Sequence, residues 1–109
     1  MSLFGIPYSG ISRVPIQSFA DPSVERFFAE GRLGKGVGWA SVKKVAARKL
    51  DVLNYAEALS DLASPPGNRL EALKGDLAGF HSIRINDQWR VVFRWTDAGP
   101  VEVDIRDYH

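Results

Sequence analysis

Arg84, Arg90, Arg94 and Arg106 fall at alternating positions of a C-terminal segment rich in β-branched and aromatic residues, and the chain closes on Tyr108-His109. A guanidinium offers a planar fork of donors that matches phosphate oxygens bidentately. Guanidiniums stacked on one face of a sheet repel each other unless something anionic lies over them. The chemistry such a row supports is to hold a phosphodiester and to neutralise the charge that gathers on phosphorus during displacement. Tyr108 and His109 add a phenol and an imidazole just past the last strand, and imidazole suits proton transfer near neutral pH. Lys74, in the Lys74-Gly75-Asp76 loop, has an ammonium free to project without a helix to dock against.

The strands that must position these groups are read from their alternation. Residues 69–73 form a possible short strand, and residues 80–85, 89–95 and 101–106 form a three-stranded meander. Pairing Ile85 with Trp89, Ile83 with Val91 and His81 with Phe93 stacks one apolar face across the Asn86-Asp87-Gln88 turn. The same logic across residues 96–100 pairs Trp95 with Val101, Phe93 with Val103 and Val91 with Ile105. On the other face Arg84 then lies opposite Arg90, Arg90 opposite Arg106, and Arg94 opposite Glu102. The last pair is an ordinary cross-strand ion pair worth roughly 0.2–1 kcal/mol. Arg84, Arg90 and Arg106 remain as the expected anion row, with Asp104 near enough to quench part of it.

Upstream the period is helical. Residues 1–13, with Gly5, Pro7, Gly10 and three serines, read as a loosely ordered extension. The folded domain is expected over residues 14–109, opening with a short β-compatible stretch at residues 14–19. Asp21-Pro22 marks a helix start, Val24, Phe27 and Phe28 its apolar stripe, and Gly31 its end. A glycine-rich loop at residues 31–38 follows, reading as mobile; it is no nucleotide fingerprint, because no buried strand precedes it. Trp39, Val42, Ala46, Leu50 and Leu53 recur at helical spacing and read as core. Asn54 and Glu57 resemble a capping box for a further short helix over residues 55–62.

At 109 residues the chain makes one domain, and its 45% hydrophobic and 25% charged residues are those of a soluble globular protein. It has no apolar stretch long enough for a bilayer and no secretory-type N-terminus, so a cytoplasmic location without membrane contact is expected. The lack of cysteine excludes disulfides and thiolate chemistry, and two histidines make a histidine metal cluster improbable; neither metal nor cofactor is expected. The net charge of +1 leaves nucleic-acid binding to local segregation. Residues 31–49 supply it, with six basic residues and no acidic one.

The segments Ser64-PPGNRLEAL-Lys74-Gly75-Asp76, Gly79-x-His81-SIR-x-NDQWR ending at Arg90, and the terminal Asp107-Tyr108-His109 resemble the HigB toxins, including the GraT-like branch, of the RelE/ParE superfamily. The resemblance covers about residues 16–109. It implies an α+β fold in which a twisted, mainly antiparallel sheet carries the N-terminal helices on one face. It also implies a ribosome-dependent, metal-independent endoribonuclease that cuts mRNA in the A site by 2′-OH attack. A HigA-like helix-turn-helix antitoxin would neutralise the toxin, with operator DNA reached only through that antitoxin.

Carried over by motif, Lys74 would stabilise phosphate charge or assist deprotonation, and Arg90 would stabilise the transition state. Tyr108 would orient the substrate, and His109 would shuttle a proton or contact mRNA. Many HigB sequences have a histidine three residues before the lysine, as a candidate acid or base; Glu71 stands there in this chain. Arg84 and Arg106 join as phosphate-binding residues from the sheet geometry. Lys43, Lys44, Arg48 and Lys49 suit salt-sensitive contacts to ribosomal RNA. Two other functions use the same scaffold: a ParE-like DNA gyrase poison without nuclease activity, and a degenerate toxin acting only as antitoxin corepressor. The set Lys74, Arg90 and Tyr108-His109 favours the nuclease, since gyrase-directed relatives generally lack it.

Overall fold

The computed structural model describes residues 15–107; the expected loose extension over residues 1–13 and the terminal Tyr108 and His109 lie outside them. Helix α1 (Pro22–Glu30) begins where Asp21 Oδ1 accepts a hydrogen bond from Ser23 N at 2.8 Å. Pro22 occupies the first turn, where its missing N–H costs nothing. Gly31 ends the helix at φ 73, its N–H donating to Phe27 O. Trp39 then precedes a single 3-10 turn (Ala40–Val42) that feeds helix α2 (Lys43–Tyr55). Ala46, Leu50 and Leu53 are buried along α2 as their spacing requires, and Phe27 meets Trp39 edge-on with ring centroids 4.9 Å apart.

The helix expected over residues 55–62 does not form in that way. Asn54, taken as its cap, sits in the last turn of α2 and its Oδ1 accepts from Ile16 N at 3.0 Å, tying the leading segment to the helix. The chain is extended at Ala56 and then makes a 3-10 helix (Leu59–Ala63). Its N-cap is Ala58, and Asp61 within the helix reaches back, its Oδ2 accepting from Glu57 N and Ala58 N at 2.9 and 3.1 Å.

Four antiparallel strands follow in the order β1-β2-β3-β4: β1 (Glu71–Ala72), β2 (His81–Arg84), β3 (Trp89–Thr96) and β4 (Gly99–Asp107). The first hairpin has the register read from the sequence, with His81 opposite Phe93, Ile83 opposite Val91 and Arg84 opposite Arg90. The second agrees only at one end. Val91 faces Ile105 and Arg90 faces Arg106, but Arg94 faces Val101 and Trp95 faces Pro100, so the expected pairs Trp95–Val101, Phe93–Val103 and Arg94–Glu102 are not ladder partners.

The cause is a bulge that places one extra residue on β4, where Glu102 takes φ 54. The outer edge of β4 is engaged there by the segment before α1. Gln17 N donates to Pro100 O, Val103 N to Ser18 O and Ala20 N to Val103 O, while Ser18 Oγ accepts from Glu102 N. Of the stretch expected as a strand over residues 14–19, residues 17–19 are thus a companion to β4, with one parallel bridge between Phe19 and Val103.

Ile83, Val91, Phe93, Val103 and Ile105 on one face of the sheet share a core with Val24, Leu50, Leu53 and Leu62. Each such burial is worth about 1.5–3 kcal/mol. The loop before α2 is tied to this core as well: a Cβ at Gly38 would lie 2.8 Å from Trp89 Cη2, so only glycine admits the indole. Among the described residues no helix is long and apolar enough to cross a membrane.

Candidate active site

The face turned away from the helices carries two cross-strand rows. Glu71, Ser82, Val92 and Asp104 are successive partners in one; Arg84, Arg90 and Arg106 are successive partners in the next. Over them lies a concavity of about 450 Å³ lined by Glu71, Lys74, Ser82, Arg90, Arg106 and Asp107, among others. Lys74 reaches it from the loop after β1, where it precedes a 3-10 turn (Gly75–Leu77) that begins with Gly75 at φ 64. The sheet register and one loop thereby bring together an ammonium, two guanidiniums and two carboxylates that the sequence separates by up to 36 positions.

Arg90 is only 3% exposed, which departs from the surface cation that alternation alone implies. Its Nε donates to Ser82 Oγ at 2.7 Å, and one terminal nitrogen donates to Ser82 O at 3.2 Å and to Arg69 O. These acceptors fix the plane of the fork. Ser82 is itself fully buried. Arg69 holds its carbonyl toward the guanidinium by adopting φ 47, a left-handed conformation uncommon outside glycine and asparagine. The fold has therefore built a rigid cradle for one cation at the floor of the concavity.

Arg84 behaves differently. Asp87, three residues on in the tight turn, accepts from it at 2.6 Å, and the guanidinium holds the exposed Asp87 carboxyl below the usual carboxylate range. Arg84, expected as part of the anion row, thus has a local counter-charge, because the turn folds Asp87 back over the strand end. Arg94 keeps its ion pair with Glu102 at 3.3 Å, although the two are not register partners, and it also lies over the Phe80 ring at 4.7 Å. Tyr108 and His109 follow Asp107 in sequence and are outside the described residues.

The basic run on α2 does not join this concavity. Lys43 and Lys44 are exposed and line a groove between the helices with Phe27, Phe28 and Asp51; Arg48 is exposed too. Lys49 departs from the expected solvent-facing role: it is half-buried and its Nζ donates to Asn68 Oδ1 at 2.5 Å. Burial lowers its pKa, with Arg48 and Arg84 adding repulsion. Asn68, fully buried, also donates to Leu62 O and Ser64 O at 3.1 Å each. It anchors the turn that presents the Arg69 carbonyl to Arg90.

Sequence reasoning missed Ser82, Asn68 and Arg69. Ser82 left a trace, since it shares the face of Arg84 one step along β2. The other two gave only a turn signal after Pro66-Gly67. At the far end of the first row Asp104 is half-buried, and burial raises its carboxyl pKa against the opposing hydrogen bond from Ile105 N at 2.8 Å.

A four-stranded antiparallel sheet, two leading helices on one face and a basic concavity on the other define a RelE-like toxin. In the comparison with solved structures a chain of the YoeB-YefM complex from Staphylococcus aureus overlays with TM-score 0.50 at 21% identity, covering 89% of this chain and 98% of that one, a likeness of fold. The family model for HigB-like toxins, RelE-like toxins of the type II toxin-antitoxin system HigB, matches residues 17–109, and the chain belongs to that family. Toxin HigB-1 of Vibrio cholerae is 42% identical over 79 residues, 72% of this chain and 82% of that protein. Endoribonuclease HigB of Proteus vulgaris is 28% identical over 94 residues, 86% and 99% of the two chains. As a type II toxin the chain has an antitoxin for a partner.

Proposed function

We propose that this toxin is a ribosome-dependent endoribonuclease that cuts mRNA in the A site and is silenced by a HigA-like helix-turn-helix antitoxin, through which alone it reaches operator DNA. The observation that carries the reading is the cradled Arg90, a fixed cation on the floor of a concavity that also holds Lys74, Arg106 and Glu71. In the reaction a ribose 2′-OH loses its proton and attacks the adjacent phosphorus, the bond to the 5′-oxygen breaks, and that oxygen takes up a proton. The products are a 2′,3′-cyclic phosphate and a 5′-OH. Charge on the non-bridging oxygens rises as the phosphorane forms, and a guanidinium already oriented stabilises it without reorganising.

Lys74 adds a second positive charge from the rim, and Arg106, exposed beside Arg90, holds the substrate phosphodiester. Glu71, one of two carboxylates lining the concavity with Asp107, takes the place of the usual histidine as proton acceptor. Tyr108 and His109 keep the roles their motif implies, orienting the nucleotide and moving the second proton. The test is purified toxin on ribosomes programmed with a defined mRNA, with gyrase and supercoiled plasmid in parallel. A-site cuts that depend on Arg90 support the nuclease. Intact mRNA with inhibited gyrase, or no effect in either assay, overturns it.

A further inference from the structure

A second concavity, about 510 Å³, borders the first and shares Glu71 and Arg90 with it; its remaining lining includes Arg69, Arg84 and Asp87. No role in the reaction proposed above uses the Arg69 side chain. We propose that Arg69 and Arg84 form a second subsite, which binds the backbone phosphate next to the one that reacts and so sets the direction of the RNA across Arg90. The inference rests on the nuclease reading and extends it.

Several observations converge on this use. Arg69 is exposed and sits at φ 47, where glycine would serve the backbone with less strain. Its carbonyl holds Arg90, so the backbone accounts for the conformation but not for a long cationic side chain there. Arg84 lies in the same hollow, paired with the exposed carboxylate of Asp87 at 2.6 Å. Lys49, tethered through Asn68 behind the turn, adds to the positive field near Arg84. Three arginines and the two carboxylates Glu71 and Asp87 line the hollow, a surplus of positive charge, and the exposed Asp87 can yield Arg84 to a phosphate at little cost. The two hollows share Glu71 and Arg90 as a common wall, an arrangement that suits successive phosphates of one strand.

The experiment separates the side chain from the backbone. Arg69→Gly keeps the left-handed turn and its carbonyl and removes only the guanidinium. Wild type and Arg69→Gly are compared on ribosomes carrying mRNAs in which one phosphate on either side of the cleaved one is replaced by a neutral methylphosphonate. For wild type, one of the two replacements is expected to raise KM about fivefold to tenfold. Arg69→Gly is expected to show that rise already on normal mRNA, with the loss falling on KM more than on kcat, and to be indifferent to the same replacement. Asp87→Asn, which frees Arg84, should lower KM about twofold to fivefold. Thermal melting of each variant checks the fold. If Arg69→Gly suffers as much as wild type from each replacement, the subsite is overturned; if wild-type toxin cuts no mRNA, the nuclease reading beneath it falls instead.

Discussion

Two regions carry most of the positive charge that could meet RNA, and they hold it in opposite physical states. On the sheet, Arg90 is buried and gripped by Ser82 and Arg69, so its position is set before any substrate arrives. On α2, Lys43, Lys44 and Arg48 are exposed on long flexible stems. The first arrangement suits stabilising charge at one atom, because the cost of orienting the donor is met in folding. The second suits docking, because phosphates of any register satisfy it and salt screens it. Burial, more than the number of charges, separates the expected catalytic region from the expected docking region.

The sharpest way to break this contrast is to remove the gripped cation. Arg90→Ala should lower single-turnover cleavage by about 10²–10³-fold, the range for losing one preorganised donor. Its folding stability should fall by about 1–3 kcal/mol in denaturant titration, since Ser82 and the Arg69 carbonyl lose their partner. Ser82→Ala tests the grip: kcat should drop roughly tenfold, one hydrogen bond's worth of alignment, and Ser82→Thr should recover part of it because the hydroxyl remains. No recovery with threonine would make the effect one of packing alone.

On the helix, Lys43→Glu with Lys44→Glu should weaken toxin–ribosome association about tenfold at low salt, converge on wild type as salt rises, and leave the position of cutting unchanged. Equal affinities across the salt series would remove α2 from the docking surface. The smallest effect is expected at Asp104. Burial raises its folded pKa, so the native state holds the proton more tightly than the unfolded chain. That contribution is fully favourable below the unfolded carboxylate pKa and is lost as pH rises through the folded one. Asp104→Asn should therefore raise Tm at pH 7 and lose the advantage in acid, as thermal melts across pH would record.

Helix α1, the core stripe of α2 and the first hairpin were legible because local chemistry decides them: an aspartate before proline, a 3.6-residue period, and an apolar face that a one-residue slip would expose. The slip beyond Val92 was not, because the bulge at Glu102 answers to residues 17–20, more than 80 positions away, pairing on the other edge of β4. The same limit applies at the site. Alternation placed Arg84, Arg90 and Arg106 in one row, but it carried no information on depth. Arg90 is covered in part by the turn that Asn68 fixes, and Lys49 turns inward to the same asparagine. Arg84 lost its place as an uncompensated cation to Asp87, whose reach depended on how the turn closed.

The most direct test is the single-turnover rate of Arg90→Lys on saturating mRNA-programmed ribosomes, beside wild type and Arg90→Ala. Lysine keeps the charge but cannot reproduce a planar fork held at Ser82 and Arg69. The expected result is a rate within about tenfold of Arg90→Ala, far below wild type, the residue of a charge worth little once its alignment is gone. A rate for Arg90→Lys close to wild type would contradict the claim that the cradle, and not the mere presence of a cation, makes this site.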